Sequence, residues 1–127
     1  MKSRLLVLIA VFAMFSAAAY AHHSFAGTYV EDKTITIEGK LVEFNVRNPH
    51  SFISVEVTDK DGKTTRWGIE WGTVTQLNQS GINRFTLKIG DKVTVVGAPG
   101  RDPEDHRMLL RSIVRPSDGW SWGGRVQ

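Results

Sequence analysis

The stretch that decides the fold is TRWGIEWGTVTQLNQSG, residues 65–81, because it changes from a strand pattern into a helix pattern. In its first half every second residue points to one face, which is typical of a strand with one buried side. These residues are Thr65, Trp67, Ile69 and Trp71. We predict that both tryptophans fill the interior. Exposed on one face, they would instead form a stacking platform for a sugar or a base.

The second half of the stretch carries the signals of a helix start and stop. Thr73 and Gln76 have the spacing of a capping box, and Val74 and Leu77 have helical spacing. Gly81 follows as a stop signal. The pattern predicts a short helix of about two turns after the third strand.

Strand patterns lie on both sides of this stretch. A first strand begins at Thr34 and changes its alternation phase after Leu41, close to Gly39, which indicates a β-bulge. The other predicted elements are a strand at 52–57, a hairpin turn at 59–62, and strands at 92–97 and 107–114. This order predicts an all-β protein, a small five-stranded OB-like Greek-key barrel with one short helix between strands 3 and 4. An SH3-like barrel, the main competitor, does not normally place a helix there.

The first 21 residues have the organisation of a cleaved signal peptide. Lys2 and Arg4 precede an apolar run, and Ala19-x-Ala21 is a small-residue cleavage site. The run is too short for a confident membrane span, so we expect no transmembrane segment after cleavage. The expected location is the periplasm or the exterior. The remaining chain divides into an extension at 22–33, the barrel at 34–116 and a flexible tail at 117–127 that contains two tryptophans.

Charge and composition argue against several function classes. Two of the 16 basic residues, Lys2 and Arg4, leave with the leader, so the chain that remains has 14 basic and 13 acidic residues. A nearly neutral chain of this kind predicts no nucleic-acid partner. The chain has no cysteine nucleophile and no paired carboxylates, and Glu70 has no evident partner. We therefore expect no enzyme. Met108 lies in an apolar strand and is expected in the core, which disfavours a methionine-rich Cu(I) carrier.

The histidines suggest a copper site. After cleavage His22 would carry both an α-amine and an imidazole, and His23 follows directly. A terminal amine with two or three imidazoles suits Cu(II). A turn near residues 31–33 would bring this terminus toward His50, in the loop between strands one and two. His106, between strands four and five, is an optional further ligand. In OB-folds these two loops flank the binding face.

Simpler interpretations remain open for each histidine. His22 and His23 could be a solvated start, or bind Cu(II) as a linear peptide without the fold. His50 could only hydrogen-bond within a turn. The alternative function is a metal-free OB-like adaptor that binds an envelope protein, a glycan or a small molecule, and it predicts an outward Phe52.

The chain resembles the domain of unknown function 6152 family, a group of small exported bacterial proteins. Four segments carry the resemblance: Ala21-His22-His23-Ser24-Phe25, Asn48-Pro49-His50, Trp67-x-x-Glu70, and Leu87-Lys88-x-Gly90-Asp91-x-Val93. The resemblance implies a secreted small β-domain. It implies no activity, and His106 is not part of its pattern.

Overall fold

The structure, a computed structural model, describes residues 25–126. This part of the chain contains six strands and one α-helix. They are β1 (Ile35–Asn45), β2 (Phe52–Thr58), β3 (Thr64–Glu70), α1 (Val74–Gln79), β4 (Lys92–Pro99), β5 (Arg107–Arg115) and β6 (Trp120–Gly123). A 3-10 helix, Pro103–Asp105, precedes β5, and a helical turn at 25–28 precedes β1. Between residues 25 and 126 no helix is long and apolar enough to cross a membrane.

The strands close into a barrel. Strand β1 pairs with both β2 and β4, β2 pairs with β3, and β4 pairs with β5, all antiparallel. A parallel pairing of β3 with β5, which joins Gly68–Glu70 to Arg107–Leu109, completes the circle. The five-stranded OB-like barrel with a helix between strands 3 and 4 is therefore confirmed.

The bend in β1 follows from a bulge and a glycine. The register with β2 shifts between Leu41 and Glu43, as the change of alternation phase predicted. A β-carbon at Gly39 would lie 2.2 Å from the carbonyl oxygen of Glu56. Only glycine permits this close approach, which lets one long strand pair with β4 along its first half and with β2 along its second.

The local signals in the sequence have the predicted structures. The Thr73 side chain accepts a hydrogen bond from the Gln76 backbone N–H at 3.1 Å, so Thr73 caps helix α1. Gly81 follows the helix with φ 73°, and Gly62 has φ 81° in the β2–β3 turn. Both positions use the left-handed conformation that glycine adopts without strain.

The core confirms the expected burial of Trp71 and Met108, both fully buried, and Trp67 packs against the core while partly exposed. The C-terminal region differs from the prediction of a flexible tail at 117–127. Strand β6 pairs with β5, and the Trp122 ring lies 5.1 Å from the Trp71 ring. The tail is ordered there because its alternating tryptophans, Trp120 and Trp122, both pack against the core.

Candidate functional site

The corner between β1 and β2 positions His50. The Asn48–Pro49 peptide is cis. The Ser51 hydroxyl accepts from the Arg47 N–H at 3.2 Å and donates to the Arg47 carbonyl at 3.3 Å. The Ser51 backbone N–H donates to the carbonyl of Gly72 at 2.8 Å. The loop is therefore tied both to itself and to the end of β3.

His50 is oriented by a carboxylate. Its Nδ1 lies 2.7 Å from Oε1 of Glu70, and 24% of the His50 side chain remains exposed. A carboxylate oxygen accepts hydrogen bonds, so this contact places the imidazole proton on Nδ1. In the neutral ring Nε2 then keeps its lone pair. Within residues 25–126 Nε2 has no hydrogen-bond partner.

Glu70 also holds a second partner, one that the sequence did not reveal. The phenol of Tyr29 donates to Oε2 of Glu70 at 2.5 Å, and both side chains are buried. Burial, reinforced by the neighbouring carboxylate, raises the pKa of the Tyr29 phenol above its ordinary value. Glu70 is thus fixed by one hydrogen bond on each oxygen.

The segment before β1 lies against the end of β4. Tyr29 forms a β-bridge with Gly100, and the Val30 N–H donates to the carbonyl of Pro99 at 2.9 Å. Arg101 adds a hydrogen bond from its Nε to the Ala26 carbonyl at 2.7 Å. The expected turn is present, since the Lys33 N–H donates to the Val30 carbonyl at 3.0 Å. These contacts fix the start of the described chain beside the barrel.

Phe25 brings this segment to His50. Its ring centroid lies 5.1 Å from that of His50 and 6.4 Å from that of Tyr29. The aromatic ring therefore covers the imidazole and shields part of the His50–Glu70 pair. Phe25 immediately follows the segment His22-His23-Ser24 in the sequence.

An open pocket of about 350 Å³ lies at this corner. Its lining residues are Arg47, Asn48, Pro49, His50, Phe52 and Glu70. The Arg47 guanidinium lies 5.2 Å from the centre of the Phe52 ring. The pocket offers one imidazole, one carboxylate, one cation and one aromatic face.

The structure describes two of the four predicted metal ligands, His50 and His106. His22 and His23, like the cleavage site at Ala21, lie outside the described residues. His50 is at the rim of the barrel, between β1 and β2. His106 has left-handed φ 46°, and its ring packs edge-on against Trp67 at 5.3 Å. Within the described part of the chain no contact joins His106 to His50, and no cluster of three or more metal-ligating side chains forms.

Two proteins of known structure are similar to this chain. The mitochondrial single-stranded DNA-binding protein Rim1 of S. cerevisiae is similar at 18% identity, covering 64% of this chain and 90% of its own, with a TM-score of 0.49. The N-terminal domain of PriB from Thermoanaerobacter tencongensis is similar at 22% identity, covering 65% and 94%, with a TM-score of 0.40. A search of curated proteins gave no significant match. A profile of a family of unknown function, DUF6152, matches residues 10–109, and the chain therefore belongs to that family.

Proposed function

We propose that this protein is exported and acts as a Cu(II)-binding module, with a site that joins the terminal His22 and His23 to His50. One observation carries the proposal: Glu70 accepts a hydrogen bond from Nδ1 of His50 at 2.7 Å. The binding is for carriage or sequestration of the metal, not for catalysis.

The His50–Glu70 pair has the form of a metal ligand with its supporting group. A metal-binding imidazole commonly donates its other N–H to a carboxylate, which fixes the tautomer and makes the free nitrogen more basic. Tyr29 holds the second oxygen of Glu70, so the carboxylate cannot rotate freely. A histidine in a simple turn needs neither support, and this favours a ligand role for Nε2.

Chain length supports a contribution from the terminus. Phe25 packs on His50, and His22 stands three residues earlier in the chain. Three residues span at most about 11 Å when fully extended. The amine and imidazole of a processed His22 are therefore within reach of the His50 corner without any change in the barrel.

The donor set selects Cu(II). Amine and imidazole nitrogens in a tetragonal arrangement suit Cu(II), which binds most tightly in the divalent series. The soft ligands that Cu(I) prefers are scarce, because the chain has no cysteine and Met108 is fully buried. His106 packs on Trp67 and is not needed in this site.

One ion pair on the outer face of β2 and β3 weighs against a nucleic-acid partner. OB-folds bind oligonucleotides on this face with basic and aromatic side chains. Here Glu43 occupies it and accepts hydrogen bonds from Ser54 at 2.9 Å and from Arg66 at 2.5 Å. The carboxylate thus neutralises Arg66, one of the cations that a phosphate could contact on this face.

The pocket favours a second candidate, a metal-free adaptor for a small ligand. Its support is the partly exposed Phe52 under the guanidinium of Arg47. This candidate uses the same corner but requires neither the free terminus nor Nε2 of His50. The two functions are therefore separable by experiment.

The test is a Cu(II) titration of protein that begins at His22, followed by calorimetry and electron paramagnetic resonance. Three comparisons are needed: one added residue before His22, His50→Ala, and the matched His106→Ala. We expect one tight equivalent with nitrogen hyperfine structure, weakened by the first two changes and unaffected by the third. If His50→Ala leaves the Cu(II) affinity unchanged, the metal is bound by the chain terminus alone. Binding no tighter than that of a His-His peptide would reject the copper function in favour of the adaptor.

A further inference from the structure

The loop between α1 and β4 exposes two large apolar side chains. Phe85 is 70% exposed and Ile89 is 65% exposed. Within residues 25–126 only Val114, at 37%, is another exposed large hydrophobic residue. We call residues 83–90 the apolar loop. Its two exposed side chains are not part of the hydrophobic core, although Leu87 between them is buried there.

The apolar loop is held in a fixed conformation. The Asn83 side chain accepts from the Phe85 N–H at 2.8 Å, and the Thr86 hydroxyl accepts from the Asn83 N–H at 2.9 Å. The Arg115 guanidinium donates to the Thr86 carbonyl at 2.8 Å. These bonds fix the backbone of the loop. Phe85 and Ile89 therefore stay in solvent and do not fold back onto the core.

Unpaired cations surround the two apolar side chains. The Arg84 guanidinium lies 4.7 Å from the centre of the Phe85 ring, and Lys88 and Lys92 follow, all exposed. None of the three has an ion pair within residues 25–126. The acidic residues Asp91 and Asp118 are both paired with Arg115, at 2.9 and 2.8 Å. The surface is therefore apolar at its tip and positive around it.

We propose that the apolar loop docks this protein on the surface of an anionic phospholipid bilayer. Apolar side chains that enter the headgroup region gain by leaving water, and flanking basic residues gain from the negative surface potential. An acidic protein would satisfy the cations, but the small area of two protruding side chains fits insertion into lipid better than a packed protein interface. The attachment is peripheral and sensitive to salt.

Strand β4 fixes how the docked protein would be oriented. The apolar loop enters β4 at Lys92, whereas the Tyr29 segment lies against Pro99 and Gly100 at the other end. Eight residues of strand span about 25 Å. Docking through the loop would thus leave the His50 corner facing away from the bilayer and open to its ligand.

The test is co-sedimentation of protein that begins at His22 with two kinds of vesicle. One is pure phosphatidylcholine, and the other mixes it equally with phosphatidylglycerol. EDTA is present throughout, so the copper proposal does not affect the outcome. The variants are Phe85→Ser with Ile89→Ser, and Arg84→Gln with Lys88→Gln. A matched control, Lys60→Gln with Lys63→Gln, removes the same charge from the exposed β2–β3 turn.

We expect binding to the anionic vesicles only, weakened about tenfold or more in both loop variants and less than about threefold in the control. Circular dichroism of each variant confirms that it folds. The proposal is overturned if the unaltered protein fails to bind anionic vesicles. Equal loss in the loop-charge variant and the control would also overturn it, since net charge alone would then explain binding. Capture by an acidic protein without lipid binding would assign the loop to a protein partner instead.

Discussion

Tyr29 and His50 are joined through a single carboxylate: the phenol donates to one oxygen of Glu70 and the imidazole to the other. Residues from the segment before β1, the β1–β2 corner and the end of β3 thus form one polar chain, which is buried at Tyr29 and Glu70 and reaches the surface at His50. A chain of this kind is stable only when each member keeps its partner. Its members therefore give sharp tests of the proposed site.

Glu70→Gln is expected to weaken Cu(II) binding by about 10- to 100-fold, the usual effect of losing a supporting carboxylate. The amide has only one acceptor oxygen and cannot accept from both neighbours. Competition with a chromophoric copper chelator measures the change. Glu43→Gln is the matched control, since Glu43 serves Ser54 and Arg66 on the other part of the sheet. An unchanged affinity in Glu70→Gln would contradict a ligand role for His50.

Tyr29→Phe is expected to remove an alkaline loss of stability. The pKa of Tyr29 is raised in the folded protein, so the folded state holds the phenol proton more tightly than the unfolded state. This stabilisation is complete below pH of about 10 and is lost as pH rises above it. Urea unfolding at rising pH should show that loss in the unaltered protein and a flatter curve in the variant.

The tyrosine itself can be followed by absorbance. The chain has two tyrosines, and Tyr20 would leave with the leader. The phenolate signal of the processed protein then reports Tyr29 alone. Ionisation of the folded protein at an ordinary tyrosine pH would show that the phenol is not buried against Glu70.

Arg115→Leu is expected to destabilise the protein by about 2 kcal/mol at pH 7, since Arg115 donates charged hydrogen bonds to the half-buried Asp91 carboxylate and to the Thr86 carbonyl. Hydrogen bonds from Arg115 lower the pKa of Asp118. Burial would raise the pKa of Asp91, but hydrogen bonds from Lys88 and Arg115 lower it overall. Their stabilisation is present above pH of about 4 and is lost as pH falls.

Urea unfolding at pH 7 and at acid pH measures this effect. The variant should lose less stability than the unaltered protein as pH falls, because its carboxylates no longer have the arginine. Arg66→Leu is the control, since its pair with Glu43 is exposed and worth under about 1 kcal/mol. Equal losses in the free energy of unfolding for the two substitutions would show that the Arg115 cluster stabilises the protein no more than an exposed ion pair does.

Gly39→Ala is expected to destabilise the barrel by about 1–3 kcal/mol, because its β-carbon would clash with the Glu56 carbonyl oxygen. Gly68→Ala is a matched strand control, since a β-carbon there meets nothing within 4 Å. Denaturant unfolding followed by tryptophan fluorescence compares them. A similar free energy of unfolding for both variants would mean that β1 and β2 can separate without loss.

The barrel was predictable because its signals are local. The Thr73 cap, the Gly62 turn and the phase change after Leu41 each lie within a few residues of the structure that they specify. Strand β6 was missed because glycine and serine around Trp120 and Trp122 look like a loop. Only pairing with β5 makes those residues a strand.

The candidate site was only partly predictable. His50 stands beside Asn48-Pro49, and that break in the strand pattern placed it at a corner. Tyr29 lies 41 positions from Glu70 in the sequence, and no spacing rule connects them. One signal was available in the sequence: Glu70 stands at a strand end beside Trp71, which was expected in the interior. A carboxylate in such a position needs a hydrogen-bond partner.

The parallel pairing of β3 with β5 also links the candidate site to the far end of the sequence. Glu70 is opposite Leu109 in that pairing, and Tyr29 is opposite Gly100. Both of these backbone partners come later in the sequence than the His50, Tyr29 and Glu70 side chains that they help to position. Contacts this distant in sequence form late and slowly compared with local ones. The His50 corner therefore rests on strands from both ends of the barrel, and loss of β5 would remove the backbone support of Glu70.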